Sequence, residues 1–302
     1  MKLIDLQVNG YMGVDFSSPD LNEADFTKAC EKLVKHGVTA FLPTVITSSE
    51  KLYRKNLPII ARASERAEFK KHILGIHIEG PFISKLPGSV GAHNPKWTRK
   101  PDIDFLNKMQ DWADGKIKIL TMAAELPGAA KLCEYAGKKG INVFLGHQNA
   151  QLSDLEKMAK AGAKAITHFG NAVPNMIDRH NNILLYGLAC DKLAATIITD
   201  GHHLPAHLIK TIIRVKGIEN IAVISDASPI AGLPPKRYRT LGNEVILEEN
   251  GYLHNPKKKC LVASSSTIVE CVKYLDSLSF LTKQQIKKIT YDNPLKLINA
   301  QI

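Results

Sequence analysis

The chain has 302 residues, 44% apolar and 23% charged, so its composition is neither that of a disordered protein nor that of a membrane-embedded one. No apolar run approaches the roughly 18 residues that cross a bilayer, so we expect no membrane partner. The formal charge of +11 is spread over separate predicted elements, without a zinc finger, basic helix or aromatic sheet, so we expect an anionic substrate rather than nucleic acid.

Eight short apolar, β-branched runs recur in chain order between amphipathic stretches. The runs are residues 3–8, 40–45, 73–78, 117–122, 141–145, 165–168, 195–199 and 221–225. The intervening helical patterns are residues 23–36, 50–66, 129–139, 152–161 and 205–216. Ser49 is a predicted N-cap, and Gly37, Gly140, Gly162 and Gly217 are predicted to end helices. Alternating strands and helices predict a parallel sheet, and eight repeats predict its closure into an α/β fold, a (β/α)8 TIM-type barrel.

The pattern changes after the eighth run. Residues 229–262 contain a Pro-Pro pair and two short alternating runs around an Asn-Gly turn, which predicts a hairpin insertion. Helical patterns at 264–277 and 282–290 then complete the barrel wall. No linker or repeat divides the chain, so we predict one domain over 1–302.

Cysteine usage and the N-terminus indicate the compartment. The five cysteines are odd in number and form no CxxC pair, which favours reduced thiols over a disulfide framework. The N-terminal MKLIDLQVNG lacks the apolar core and cleavage site of a signal peptide. We therefore expect a cytoplasmic protein.

Acidic and histidine side chains stand at or just beyond the ends of predicted strands. These are Glu79, His147, His168, Asp200 and Asp226. In a barrel these ends form one rim, where active sites are built. A lone histidine there is commonly structural and a lone acid commonly caps a helix, but five on one rim are not explained in that way. One carboxylate and two imidazoles with an open position suit a catalytic Zn²⁺ or a similar divalent ion.

Seven motifs occur in one order along the chain. They are IDLQVNG at 4–10, GIHIEGPF at 75–82, GAHNP at 91–95, GHQNA at 146–150, TH with NAVP at 167–174, DGHH at 200–203, and SDA with AG at 225–232. Together they resemble the N-acetylglucosamine-6-phosphate deacetylases of the amidohydrolase superfamily, from about residue 4 to residue 299. The resemblance implies hydrolysis of the acetamide of N-acetylglucosamine 6-phosphate to glucosamine 6-phosphate and acetate.

The resemblance also implies roles for the reactive residues. Glu79, His147 and His168 would bind one divalent metal ion, for which zinc is the first expectation and iron, cobalt or manganese the alternatives. Asp226 would act as the catalytic acid and base, taking a proton from water and returning it to the departing amine. His93 would polarise the acetamide carbonyl and stabilise the oxyanion.

For the substrate phosphate, the matching positions are Arg179 and His203, with backbone amides near Asn171 and Ala172. The neighbouring His202 is the alternative to His203. An arginine fork suits a phosphate dianion. In the family the matching arginine reaches a neighbouring subunit's site, which implies a homodimer that binds a phosphorylated amino sugar.

The first strand departs from the wider superfamily. Most amidohydrolases have His-x-His there, which holds a second ion, whereas this chain has Gln7 and Asn9. Amides are poor ligands for transition metals, so we expect a single ion, with Gln7 and Asn9 supporting the site from behind the ligands. His77 shares a strand face with Glu79 and is expected to be scaffold or to support a ligand.

Two further departures leave alternatives open. The family's small β-sandwich, built from segments outside the barrel, is expected to be absent, so the N-terminal face of the barrel would be closed by basic helices or by a partner subunit. Gly170 and Ser266 differ from the family pattern near the expected sugar pocket. The alternatives are an amidohydrolase for another N-acylated sugar or small amide, and an inactive barrel that serves as a binding module.

Overall fold

Eight parallel strands form a nearly closed barrel in the computed structural model, which describes residues 1–302. The strands β1 to β8 are Ile4–Val8, Ala40–Ile46, Ile76–Glu79, Ile117–Met122, Asn142–Leu145, Ala165–Ile166, Ala194–Ile198 and Ile221–Ile224. Each strand pairs with its neighbour in sequence order. The predicted (β/α)8 TIM-type barrel is therefore confirmed.

Closure between β1 and β8 uses residues just beyond β8. Val8 forms a parallel bridge with Ala227, and the Asn9 amide donates to the Ala227 carbonyl over 2.8 Å. Lower in the barrel, the fully buried Asp5 carboxylate accepts hydrogen bonds from both the backbone amide and the hydroxyl of Ser225. A side chain thus replaces part of the missing ladder between the two strands.

Ten helices surround the strands. The helices α1 to α10 are Glu23–His36, Glu50–Ser64, Ile103–Trp112, Ala129–Lys138, Leu152–Lys160, Ile183–Ala189, Ala206–Lys216, Ile268–Ser277, Lys283–Lys287 and Asn293–Leu297. Two 3₁₀ turns, Pro95–Trp97 and Ile218–Asn220, and a π turn, Lys288–Asp292, complete the helical structure. No helix combines the length and the apolar character needed to cross a membrane.

Local capping explains several helix bounds. The Ser49 side chain accepts a hydrogen bond from the Leu52 amide at the start of α2, and Gly37 ends α1 with φ 111°, as predicted. The third strand begins later than predicted, since Gly75 has φ 141° and breaks the run at 73–78. The sixth strand ends at Ile166 rather than His168, because His168 adopts φ 33°.

The apolar core has one large layer between strands and helices and a smaller cluster inside the barrel. Ile4, Leu42 and Phe144 belong to the inner cluster, together with Leu295 and Ile298 from the C-terminal segment. The Asn293 side-chain amide fixes this segment by donating to the carbonyls of Ile218, just before β8, and Ile221, at the start of β8. The chain's own C-terminal segment therefore packs against the apolar residues inside the barrel.

The insertion after β8 is larger than the predicted hairpin at 229–262. It is a four-stranded antiparallel sheet of β9 to β12: Lys236–Thr240, Asn243–Leu247, Leu253–Asn255 and Cys260–Leu261. The Asn-Gly turn joins β10 to β11 as expected. The β9–β10 turn was missed because Leu241 occupies the left-handed region at φ 49°, where leucine is uncommon. This inserted sheet has a small core of its own: Ile230, Val245, Leu247, Leu253 and Val262.

Candidate active site

Three of the strand-end residues have strained backbones. His147, His168 and Asp226 follow β5, β6 and β8 and have φ of 51°, 33° and 52°. Left-handed conformations in residues other than glycine are costly and recur at functional sites. Glu79, the last residue of β3, has an ordinary backbone and is almost completely buried.

Glu79, His147 and His168 form a compact cluster at the rim. One ligand atom from each lies within 4.8 Å of the others, and all three side chains are buried. The His147 and His168 Nε2 atoms are 3.0 Å apart, and they lie 3.3 and 3.0 Å from Glu79 Oε1. The sequence-based prediction that these strand ends converge agrees with this geometry.

The donor set fits a cation. His147 Nδ1 lies 3.0 Å from the Ser89 carbonyl and donates to it, so the Nε2 lone pair faces the cluster. Burial lowers the pKa of His147 to about 4, which keeps the ring neutral. Burial alone would raise the pKa of Glu79, but the contacts of its carboxylate with the surrounding histidines hold it well below its usual value. A carboxylate beside imidazole lone pairs is the arrangement that a divalent ion stabilises.

Asp226 lies beside this cluster and is linked to it through Gln7. Gln7 Nε2 donates to Glu79 Oε1 over 2.9 Å and to Asp226 Oδ1 over 3.0 Å. Asn9 Nδ2 donates to the same Asp226 oxygen over 2.7 Å. Burial, followed by the charge of Glu79, raises the pKa of Asp226 to about 6. A carboxyl with such a pKa can exchange protons near neutral pH.

His93 also reaches the cluster, from the loop after β3. Its Nε2 atom lies 3.1 Å from His147 Nε2 and 3.5 Å from Glu79 Oε2, and the side chain is buried. Gly91 permits this approach: its φ is 56°, and an added Cβ would lie 3.1 Å from the His147 ring. His93 therefore faces the same space as the three clustered residues.

His77 lies deeper in the barrel. Its Nδ1 atom is 3.0 Å from the Leu6 carbonyl and its Nε2 atom is 2.8 Å from the Thr121 hydroxyl, so both ring nitrogens have partners. Burial lowers its pKa to about 4. This environment suits a structural histidine better than a ligand.

Comparisons with known proteins extend along nearly the whole chain. The N-acetylglucosamine-6-phosphate deacetylase of Danio rerio is 30% identical, over 98% of this chain and 74% of its own length. The protein of the same name from Bos taurus is 31% identical, over 90% of this chain and 67% of its own length. The chain belongs to the N-acetylglucosamine-6-phosphate deacetylase family.

Solved structures of deacetylases with this name agree. Those from Pasteurella multocida and Thermotoga maritima have TM-scores of 0.88 and 0.86 at 28% and 27% identity. They cover 99% and 98% of this chain, which spans 76% and 78% of theirs. An N-acetylgalactosamine-6-phosphate deacetylase from Escherichia coli O157:H7 is 26% identical, over 98% of this chain and 77% of its own length. No family model matches the chain. The resemblance drawn from the motifs, and the hydrolase class it implied, are confirmed.

The residues that the family resemblance assigns to phosphate occupy two environments. His203 Nδ1 lies 2.7 Å from Asp200 Oδ2, and this carboxylate also accepts from the Ser264 hydroxyl. Although burial would raise the pKa of Asp200, the charge and hydrogen bond of His203 lower it. Asn171 follows His168 closely and donates to its carbonyl, so it lies at the cluster's edge. His203 and Asn171 are therefore both held at the rim.

Arg179 is placed differently. It lies on an exposed loop and makes no hydrogen bond or ion pair within the chain. Met176 on the same loop is 89% exposed, and Ile177 is also exposed. Ala172, at the start of this segment, has φ 52° and lies near Gly91. Within one chain of this deacetylase family member, Arg179 is not brought to the cluster.

Two residues that support the site, Ser89 and Asp5, are not predicted from the sequence. Ser89 contributes only its carbonyl to His147, so no side-chain signal could reveal it. Asp5 holds Ser225, the residue before Asp226. A charged residue within an otherwise apolar strand start, as in IDLQV, was the available signal for Asp5.

Proposed function

We propose that the chain hydrolyses the acetamide bond of N-acetylglucosamine 6-phosphate and releases glucosamine 6-phosphate and acetate. The observation that carries this proposal is the buried Glu79–His147–His168 cluster, joined through Gln7 to Asp226, in a member of the deacetylase family. A barrel used only for binding would have no need of these buried, strained and mutually repelling groups.

We propose that Glu79, His147 and His168 hold one divalent ion, with zinc as the first candidate. Two imidazoles and a carboxylate suit zinc, and iron, cobalt or manganese are also compatible. When bound, the ion would polarise the acetamide carbonyl and lower the pKa of a water molecule. A single ion is favoured because Gln7 and Asn9 stand where a second ion would need imidazole ligands, and neutral amides are poor ligands for transition metals.

The protein's own groups supply the proton transfers. Asp226 takes a proton from the attacking water and returns it to the amine that leaves. Gln7 and Asn9 both donate to Oδ1, which orients the carboxyl and leaves Oδ2 to carry the proton. His93 donates a hydrogen bond to the carbonyl oxygen as negative charge develops there.

Phosphate recognition is assigned to His203, the backbone near Asn171 and Ala172, and Arg179. Asp200 holds His203 Nδ1, so its Nε2 atom is available to the phosphate. The exposed Arg179 loop, with Met176 beside it, supports a homodimer in which the arginine completes the site of the partner subunit. The guanidinium would then form paired hydrogen bonds with the phosphate.

We further propose that residues 1–302 act as one catalytic unit whose barrel needs no β-sandwich to cover it. The packing of Leu295 and Ile298 in the barrel interior supports this proposal. Five unpaired cysteines, four of them buried, support a reducing, cytoplasmic location.

The deciding experiment measures acetate release from N-acetylglucosamine 6-phosphate, from the unphosphorylated sugar and from N-acetylgalactosamine 6-phosphate. Metal content is determined on the same preparation. We expect fast release from N-acetylglucosamine 6-phosphate, slow release from the unphosphorylated sugar, and about one metal ion per chain. A preference for the galactosamine phosphate would reassign the sugar, and the absence of release from all three would refute the proposal.

A further inference from the structure

The inserted sheet, β9 to β12, contacts the barrel rim on two sides of the site. On one side, Asn243 at the start of β10 donates from Nδ2 to the Ala92 carbonyl over 3.0 Å. On the other, the Ser265 hydroxyl donates to the carbonyl of Gly251, in the turn after β10. An added Cβ on Gly251 would lie 3.2 Å from the His202 ring. The sheet is thus fixed between the loops that follow β3, β7 and β8.

Asn243 is the middle of a buried chain of amide contacts. Asn255 Nδ2, at the end of β11, donates to Asn243 Oδ1 over 3.2 Å. Asn255 is itself fixed, because its Oδ1 accepts from the backbone amides of Lys257 and Lys258, both over 3.0 Å. Asn243 Nδ2 also donates to the Leu241 carbonyl over 2.8 Å. The asparagine side chain therefore has partners on both ends, and its orientation is determined.

The residue that Asn243 holds is next to His93. Ala92 also packs against the small core of the inserted sheet, so its side chain and its carbonyl are both anchored there. His93 follows directly and extends into the cluster, 3.1 Å from His147 Nε2. Earlier in this loop, Ser89 contacts His147 and Gln148, and the His93 amide donates to the Val90 carbonyl within the loop.

We propose that Asn243 is a positioning residue for His93, and that the inserted sheet serves to hold the His93 loop at the Glu79–His147–His168 cluster. The catalytic role of His93 rests on the proposed function, whereas the contact between Asn243 and Ala92 does not depend on it. Hydrogen-bond donors at a developing oxyanion act only at the correct distance, so a small displacement of the Ala92–His93 segment reduces catalysis. His203 and Arg179, the two side chains assigned to the phosphate, make no hydrogen bond to this segment.

The test compares Asn243→Ala and Asn243→Asp with a control, Asn250→Ala. Asn250 lies in the β10–β11 turn and contacts only the Tyr252 amide, so the control alters the same sheet without touching Ala92. The aspartate variant keeps the size of Asn243 and the acceptor for Asn255, but it cannot donate to the carbonyls of Ala92 and Leu241. Because the side-chain volume is unchanged, a fall in its kcat is not due to lost packing. We expect about a tenfold or greater fall in kcat for both variants, as for a weakened oxyanion donor. KM should change less than twofold and metal content should not change.

Two further measurements separate positioning from general damage. Hydrogen–deuterium exchange should rise in residues 88–97 of the Asn243 variants and stay at the wild-type level in residues 199–205. An N-trifluoroacetyl substrate, whose carbonyl needs less stabilisation, should recover part of the lost kcat. Unchanged exchange at 88–97 would overturn the proposal, as would a kcat equal to that of the control. If the wild type releases no acetate, the proposed function fails while the exchange result still tests the contact.

Discussion

The Nε2 atoms of His147 and His168 lie 3.0 Å apart inside a buried site, and both face the Glu79 carboxylate. Two imidazole lone pairs at this distance repel unless a cation lies between them or a proton is shared. The cluster should therefore be more stable when it is filled with metal. A ligand at 100 times its Kd stabilises a fold by about 2.7 kcal/mol.

The first prediction concerns metal retention. Glu79→Gln keeps the side-chain shape but removes the negative charge, so the variant should lose most of its metal and its response to a chelator. Wild-type protein should show a lower Tm after chelation and recover with added zinc. Glu125→Gln, which changes another partly buried rim glutamate, is the control. If metal analysis by mass spectrometry found about one metal ion per chain in the Glu79→Gln variant, Glu79 would not be a metal ligand.

The second prediction isolates proton transfer. Asp226→Asn retains the Oδ1 acceptor for Gln7 and Asn9 but cannot carry the proton, so kcat should fall by about 10² to 10⁴. Metal content should stay at the wild-type level, because Asp226 is not one of the three clustered residues proposed to bind the metal. Asp276→Asn, an exposed carboxyl paired with Lys283, serves as control. A variant that retains kcat but loses metal would make Asp226 a ligand instead.

Strand ends were predictable from sequence, because parallel strands in a barrel bring their C-terminal ends to one rim. That rule sufficed to place Glu79 and His168 together without any contact information. It could not reveal the hydrogen bonds from Ser225 to Asp5, which join residues 220 positions apart. Helices α3 and α6 were also missed. In α6, which reads ILLYGLA, nearly every residue is apolar, so no periodic spacing of apolar and polar residues indicates a helix.

The third prediction concerns phosphate recognition. Arg179→Ala should raise KM for N-acetylglucosamine 6-phosphate by about tenfold or more while kcat changes little, since the loss of a charged hydrogen-bond donor costs about 1.5–3 kcal/mol. The weak reaction with the unphosphorylated sugar should stay the same. Arg237→Ala on the exposed β9 strand controls for general charge. Equal effects on both sugars would argue against phosphate as the partner of Arg179.

The fourth prediction follows from Asp5. Burial raises the pKa of Asp5 to about 7, well above the usual value for an aspartate, despite its hydrogen bonds from Ser225. Because the folded-state pKa exceeds the unfolded one, the associated stability is present below about pH 4 and is lost as pH rises toward 7. The free energy of unfolding should therefore fall over this window by a few kcal/mol, at about 1.4 kcal/mol for each pH unit between the two pKa values. The Asp5→Asn variant should lack this pH dependence. If the free energies of unfolding of the two proteins changed with pH in parallel, the prediction would be refuted.

The fifth prediction tests packing directly behind His168, one of the three residues proposed to bind the metal. An added Cβ on Gly187, in α6, would lie 2.3 Å from Phe169 Cε2 and 3.0 Å from Ile166 Cδ1. Alanine favours a helix over glycine by about 1 kcal/mol, but an overpacked core costs about 1–3 kcal/mol. Gly187→Ala should therefore lower the free energy of unfolding. Since Phe169 follows His168, the Gly187→Ala substitution should also weaken metal binding.

Phe169→Leu supplies the matched compensation for this overlap, because it removes the ring atoms that Gly187→Ala would meet. Alone, Phe169→Leu should destabilise the protein by leaving a cavity. Combined with Gly187→Ala, it should cost less than the sum of the two single changes, since the new methyl group fills part of that cavity. Chemical denaturation of all four proteins gives the coupling energy. Strict additivity would mean that the backbone of α6 moves away from Phe169, in which case metal binding in the Gly187→Ala variant should match that of the wild type.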